Sequence, residues 1–331
     1  MEQRRVFYLD LIRAVSILGI VLTHVLDHFC SAESMAMQKM FYGSASLFFM
    51  TSGALIFPVG KPSVFIRRRV GSYLWLFVAW SILYAFLAVR FGDGSFILWK
   101  HEAFALFAPT FGSGWFIYAL TGLYLFAPVL SPWLTTASRR NIEWFLAAWL
   151  LSGLIPLSQT HMVIAPQETF VAPFFGFTGF MVAGYYLARW PLATRSRRFR
   201  ILFYIFTVAV GILFASRAFV TAWRWGFAAT LDYDLSINGM AMCLLWFAVL
   251  QMFRSAPALL RRMVTAVSTA SLGIYLSHVM WINYVFVPLG WGLWEVLAAS
   301  MGASVLTGLA TQRLQRLLRK KRGNIAGDAA A

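Results

Sequence analysis

The chain has 331 residues, of which 60% are hydrophobic and 17% aromatic but only 12% charged, with a mean hydropathy of +0.70. That balance excludes a soluble globular domain, whose apolar share is about 45–50%, and fits an integral membrane protein. The formal net charge of +16 would suggest nucleic acid as partner for a soluble protein, but here the cations stand between apolar runs, where they set membrane orientation instead.

The first apolar run, Val6 to Phe29, is long enough to cross a bilayer and yet carries Asp10, Arg13, His24, Asp27 and His28. No small-residue cleavage site follows it, and it is too long and too polar for a signal-peptide core, so a retained helix is expected. An ionisable group at the bilayer centre costs about 2.5–3.5 kcal/mol on insertion scales, so such residues face a protein interior or a wet cavity and mark function. At about 100° per residue, Arg13 and His24 return to nearly the same azimuth, about 16 Å apart along the axis. Asp10, Arg13, Ile17, Val21, His24 and His28 follow i+3 and i+4 steps, so their side chains form one wall. Imidazole accepts and returns a proton near neutral pH, which makes His24 the candidate acid–base group. A guanidinium is permanently charged, which suits Arg13 to an anion. Without any chemistry, the same stripe would be an interfacial Asp10–Arg13 ion pair and a histidine bonded to a neighbouring helix.

The second run, 45–59, contains FFMTSGALIF with Ser52 and Gly53, and it leads into a basic turn. Arg67, Arg68 and Arg69 stand at the mouth of the third run, 73–91. Arginines there anchor a helix on the cytoplasmic side, and they equally clamp phosphates through bidentate hydrogen bonds. The fourth run, 115–133, places Trp115, Tyr118 and Tyr124 near an outer boundary, where interface belts enrich these residue types. The fifth, 144–157, is short for a bilayer and ends at Pro156, so it is tilted, extended upstream or re-entrant. Glu168 precedes the sixth run, 170–187, and is a candidate acceptor-site group. Runs 201–219 and 235–253 follow, then 272–289 with His278 inside SLGIYLSHV, and finally 291–309.

Ten spans are therefore expected, forming an all-α membrane bundle. Most of the 28 Lys and Arg residues fall in the connections on one side, and the positive-inside rule places both termini in the cytoplasm. The longer outer connections are too short to hold a soluble domain, so residues 1–322 read as one transmembrane domain and 323–331 as a disordered tail. Cys30 and Cys243 offer neither metal spacing nor a disulfide framework and are expected as free thiols, with no metal cofactor. Asp232-Tyr233-Asp234 spells a sugar-nucleotide DxD but lies on the outer side, away from cytoplasmic nucleotides. No P-loop, G-x-S-x-G elbow or H-E-x-x-H is present.

Arg13 and His24 in R-x10-H spacing, preceded by LDLIRA, together with FFMTSG, GWFIYALTGLYLFAPVL and SLGIYLSHV in that order, resemble the acyltransferase-3 family of bacterial inner-membrane O-acyltransferases. The likeness runs from about residue 6 to 310. In size the chain is similar to compact members that acetylate enterobacterial surface glycans. The family often shows R-x-x-R at the start of the third span, whereas here Ile66 and Arg69 hold that spacing, with Arg67 or Arg68 standing in. The resemblance implies transfer of an acyl group, most often acetyl from acetyl-CoA, to a hydroxyl of an extracytoplasmic glycan or lipid-linked glycan. It implies CoA phosphates at Arg13 and Arg67 to Arg69, with Ser52 in the donor site and the thioester reaching His24. His24 would be the general base, with Asp10 pairing or orienting Arg13. Direct transfer and a transient acyl-His24 remain open. Trp115, Tyr118, Glu168 and His278 are the acceptor-site candidates, since aromatic faces stack on sugars. A transporter or flippase for a lipid-linked glycan or another anion is the alternative, with the stripe as aqueous pathway and His24 as proton relay.

Overall fold

A computed structural model describes residues 6–29, 31–41, 43–91, 114–154, 174–194, 196–225 and 235–328. The described elements are all helical: α1 (Phe7–Leu26), α2 (Ala32–Met40), α3 (Ser44–Ile56), α4 (Pro62–Phe91), α5 (Trp115–Thr136), α6 (Arg139–Ser152), α7 (Thr178–Arg189), α8 (Arg197–Trp225), α9 (Ile237–Gln251), α10 (Ala258–Trp281) and α11 (Leu293–Asp328). Five helical stretches are long and apolar enough to cross a membrane: Phe7–Leu26, Trp115–Thr136, Arg197–Arg224, Ala258–Leu289 and Leu293–Arg313. Helices α3, α6, α7 and α9 have 13, 14, 12 and 15 residues, short of the roughly 20 needed for a straight crossing. The fifth run begins upstream of its apolar core because Ser138 accepts from the Asn141 amide and caps α6 there. The last helix continues to Asp328, through residues expected as a disordered tail.

The chain divides into two compact units, one of Met1–Cys30 with Phe253–Ala331 and one of Ser31–Met252. In the first, α1 forms because its apolar residues leave no helix-breaking interruption, with acidic Asp10 in the first turn and His24 in the last, as the helix dipole favours. Its buried side carries Leu9, Ile12, Ile17, Val21 and Val25. Helices α10 and α11 cross closely, since a Cβ on Gly273 would stand 2.8 Å from the Cα of Gly308. Only hydrogen side chains permit that approach, the small-residue device of membrane helix pairs. Trp281 Nε1 donates to Thr307 Oγ1 at 3.1 Å and ties the same two helices. A π-helical turn, Ile282–Phe286, continues α10.

In the second unit, α3 and α7 touch backbone to backbone. A Cβ on Gly53 would run into the Met181 carbonyl, and one on Gly184 into the Met50 carbonyl, so each helix supplies a glycine for the other. Beside this contact, Phe49 stacks on Phe116 at 4.9 Å and Trp115 on Phe177 at 5.4 Å, giving an aromatic layer between α3, α5 and the start of α7.

Candidate active site

The polar stripe of α1 is turned onto α10. Phe7 receives the Arg261 guanidinium over its ring, Asp10 accepts from Ser268 Oγ at 2.7 Å, the His24 ring faces the His278 ring, and His28 Nε2 meets Asn283 Oδ1 at 2.9 Å. Residue numbers rise together in all four contacts, so α1 and α10 run parallel. The stripe therefore faces protein along its length, and its apolar members Ile17 and Val21 are fully buried within it.

His24 and His278 form the centre of this wall. Their ring centroids lie 5.1 Å apart, tilted by 43°. His278 is completely buried, and its Nδ1 stands 2.5 Å from the Tyr275 carbonyl. A carbonyl can only accept, so Nδ1 carries the proton and Nε2 keeps its lone pair. That Nε2 is buried and has no hydrogen-bond partner among the described residues. An unsatisfied buried polar atom costs about 1–3 kcal/mol, so a fold that keeps one invites a ligand contact. His24 is half-buried, its side chain 35% exposed, with Nδ1 3.4 Å from Asp27 Oδ2.

Arg13 lies on the same face, with its Nε buried and without an acceptor among the described residues. Asp10 bonds Ser268 rather than Arg13. The guanidinium is thereby left uncompensated by the carboxylate expected to pair with it, which suits it to an external anion.

In the other unit, the first turns of α4 form an open hollow of about 410 Å³ lined by Gly60, Lys61, Val64, Phe65, Arg68 and Arg69. Lys61, Arg68 and Arg69 share it because seven or eight residues make two helical turns. Arg67 does not line it. The hollow falls within the 300–1,000 Å³ usual for ligand pockets, and its three cations at a helix N-terminus fit phosphate groups. Ser52 lies beneath it: its Oγ is 3.2 Å from Tyr124 Oη, and the Tyr124 ring packs edge-on against Phe65. Trp115 stacks on Phe177, and Tyr118 packs edge-on against Phe77 at 4.9 Å. Glu168, Cys30 and the Asp232-Tyr233-Asp234 triplet lie outside the described residues.

Residues 6–312 match the acyltransferase-3 family, described as an acyltransferase domain. The chain belongs to that family. No curated protein and no solved structure matches it. This acyltransferase thus places both halves of its R-x10-H spacing, Arg13 and His24, on the wall that faces α10.

Three contributors are missed by the sequence reading. Ser268 is one of many serines, and only the packing of α10 on α1 brings it to Asp10. Asn283 reaches His28 because the wider π-helical turn re-aims the residues after Trp281. Lys61 carried a usable signal, since its i+7 and i+8 relation to Arg68 and Arg69 is legible once α4 is known to begin at Pro62.

Proposed function

We propose that this membrane acyltransferase moves an acyl group, acetyl from acetyl-CoA, to a hydroxyl of an extracytoplasmic cell-surface glycan or lipid-linked glycan. Its place is the bacterial inner membrane, with about ten spans and both termini in the cytoplasm. The observation that carries the reaction class is the family match across residues 6–312. The parallel course of α1 and α10 supports the topology, because the first and ninth spans of such a chain both leave the cytoplasm at their N-terminal ends.

In the proposed reaction His24 is the general base. With Nδ1–H directed at Asp27, its Nε2 lone pair takes the proton of the acceptor hydroxyl. The oxygen attacks the thioester carbonyl, the C–S bond breaks, and the proton held at His24 passes to the departing sulfur. The products are the O-acyl glycan and free CoA. His278 presents a buried lone pair that accepts a hydrogen bond from a second hydroxyl of the acceptor, beside the one that reacts, and so orients the sugar. Lys61, Arg68 and Arg69 hold donor phosphates, and Arg13 supplies a further permanent charge for an anionic group. Trp115 and Tyr118 belong to the acceptor wall, where aromatic faces stack on sugar rings, together with Glu168.

The test uses the purified protein in lipid vesicles with labelled acetyl-CoA and purified envelope glycan. Label in the glycan, hydroxylamine-sensitive as an ester, is the expected result. Passage of glycan across the vesicle without modification would establish a transporter instead.

A further inference from the structure

Asp27 breaks a local rule. It follows α1 directly at the C-cap, where the helix dipole presents partial negative charge and a carboxylate is disfavoured by about 0.3–1 kcal/mol. A polar uncharged residue, asparagine above all, would cap the same backbone without that penalty. What the carboxylate does reach is the imidazole one turn back, with Oδ2 3.4 Å from His24 Nδ1. The i, i+3 spacing places the two side chains on one side of the helix.

From this contact we propose that Asp27 is the positioning residue of His24: it holds the ring in the Nδ1–H tautomer and keeps Nε2 free as the base. The proposal rests on the acyl-transfer function above. A carboxylate oxygen only accepts, so the tautomer that satisfies it carries hydrogen on Nδ1 and a lone pair on Nε2. When Nε2 takes the proton of the acceptor hydroxyl, the imidazolium gains a negative partner already in place at its other nitrogen. Among the described residues, the other titratable group shown against the ring is His278, from α10. Its Nδ1–H is committed to the Tyr275 carbonyl and its Nε2 offers only a neutral lone pair, so the charged acceptor beside the His24 ring is Asp27. The ring of His24 is thus held at Nδ1 by Asp27 and bordered on another side by His278. In this role Asp27 acts through the His24 ring, so its loss acts on the rate of the chemical step and not on donor affinity.

The experiment compares full-length wild type, Asp27→Ala, Asp27→Asn and His24→Ala in lipid vesicles. Two readouts are taken: acetyl transfer from labelled acetyl-CoA to purified envelope glycan, and the nitrogen-15 resonances of histidine, with the His24 signals assigned by their disappearance in His24→Ala. The wild type is expected to show His24 as the Nδ1–H tautomer. General base catalysis as a whole contributes about 10²–10⁴ in rate, so loss of its orienting partner in Asp27→Ala should lower kcat about tenfold or more, with KM for acetyl-CoA unchanged. The His24 signals should then move toward a tautomer mixture. Asp27→Asn keeps an oxygen acceptor without the charge, so it should keep the tautomer and fall between the two in rate. Wild-type tautomer and wild-type kcat in Asp27→Ala, alongside an inactive His24→Ala, would overturn the positioning role while leaving the base intact. Full activity in His24→Ala would instead remove the base itself.

Discussion

The rings of His24 and His278 lie 5.1 Å apart, centroid to centroid, across the contact between α1 and α10. The half-exposed imidazole thus stands beside one that is fully buried and whose Nε2 has no hydrogen-bond partner among the described residues. If His278 accepts from a second hydroxyl of the glycan, His278→Gln should raise KM for the glycan several-fold, leave acetyl-CoA affinity unchanged and keep the protein folded. Initial rates at varied glycan and fixed donor check this. An unaltered KM for glycan would make His278 a packing residue.

The hollow at the start of α4 separates three adjacent arginines that the sequence alone groups together. Arg68 and Arg69 line it with Lys61, whereas Arg67 does not. Arg69→Ala, Arg68→Ala and Lys61→Ala should each weaken acetyl-CoA binding by about tenfold, in line with about 1.5–3 kcal/mol for a hydrogen bond to a charged group at a site open to solvent. Arg67→Ala should change it little. Because the hollow is open, affinity should fall as salt rises. Titration calorimetry on the four variants at two ionic strengths gives both results, and equal losses at all four positions would contradict the assignment.

Ser268 donates to Asp10 at 2.7 Å in a partly buried setting. Its replacement by alanine removes a hydrogen bond to an acidic side chain, which costs about 1.5–3 kcal/mol, and loosens the N-terminal end of the α1–α10 contact. A lower thermal midpoint in detergent is expected, with kcat reduced far less than in His24→Ala. A stability equal to wild type would show that the bond contributes nothing to the fold.

Gly53 and Gly184 let α3 and α7 meet backbone to backbone. Either glycine replaced by alanine puts a methyl group against a main-chain carbonyl that cannot move without bending its helix, and overpacking of this kind costs about 1–3 kcal/mol or more. Both variants should express poorly or unfold at lower temperature than wild type, as size-exclusion profiles after heating would show. Wild-type heat resistance in Gly53→Ala would mean that the contact relaxes freely.

Much of the first unit's wall was legible beforehand, because helical periodicity alone puts Asp10, Arg13, His24 and His28 on one face. Which helix covers that face is a tertiary choice among apolar segments of similar composition, so Ser268 and Asn283 had no readable signal. The expected Asp10–Arg13 pair failed for the same reason: a nearby hydroxyl on α10 captures the carboxylate. Apolar runs located the helices but not their ends. Ser138 starts α6 before its apolar core, α3, α6, α7 and α9 are shorter than a straight span, and five stretches of full length stand among the described residues.

The central claim is that His24 is the base of acyl transfer, and it is tested most directly by the rate of labelled acetyl transfer from acetyl-CoA to purified envelope glycan in vesicles carrying wild type or His24→Ala. With equal folding and equal acetyl-CoA affinity, the variant should lose at least about 10²-fold in kcat, the lower bound for a general base. Transfer at the wild-type rate in His24→Ala would contradict it.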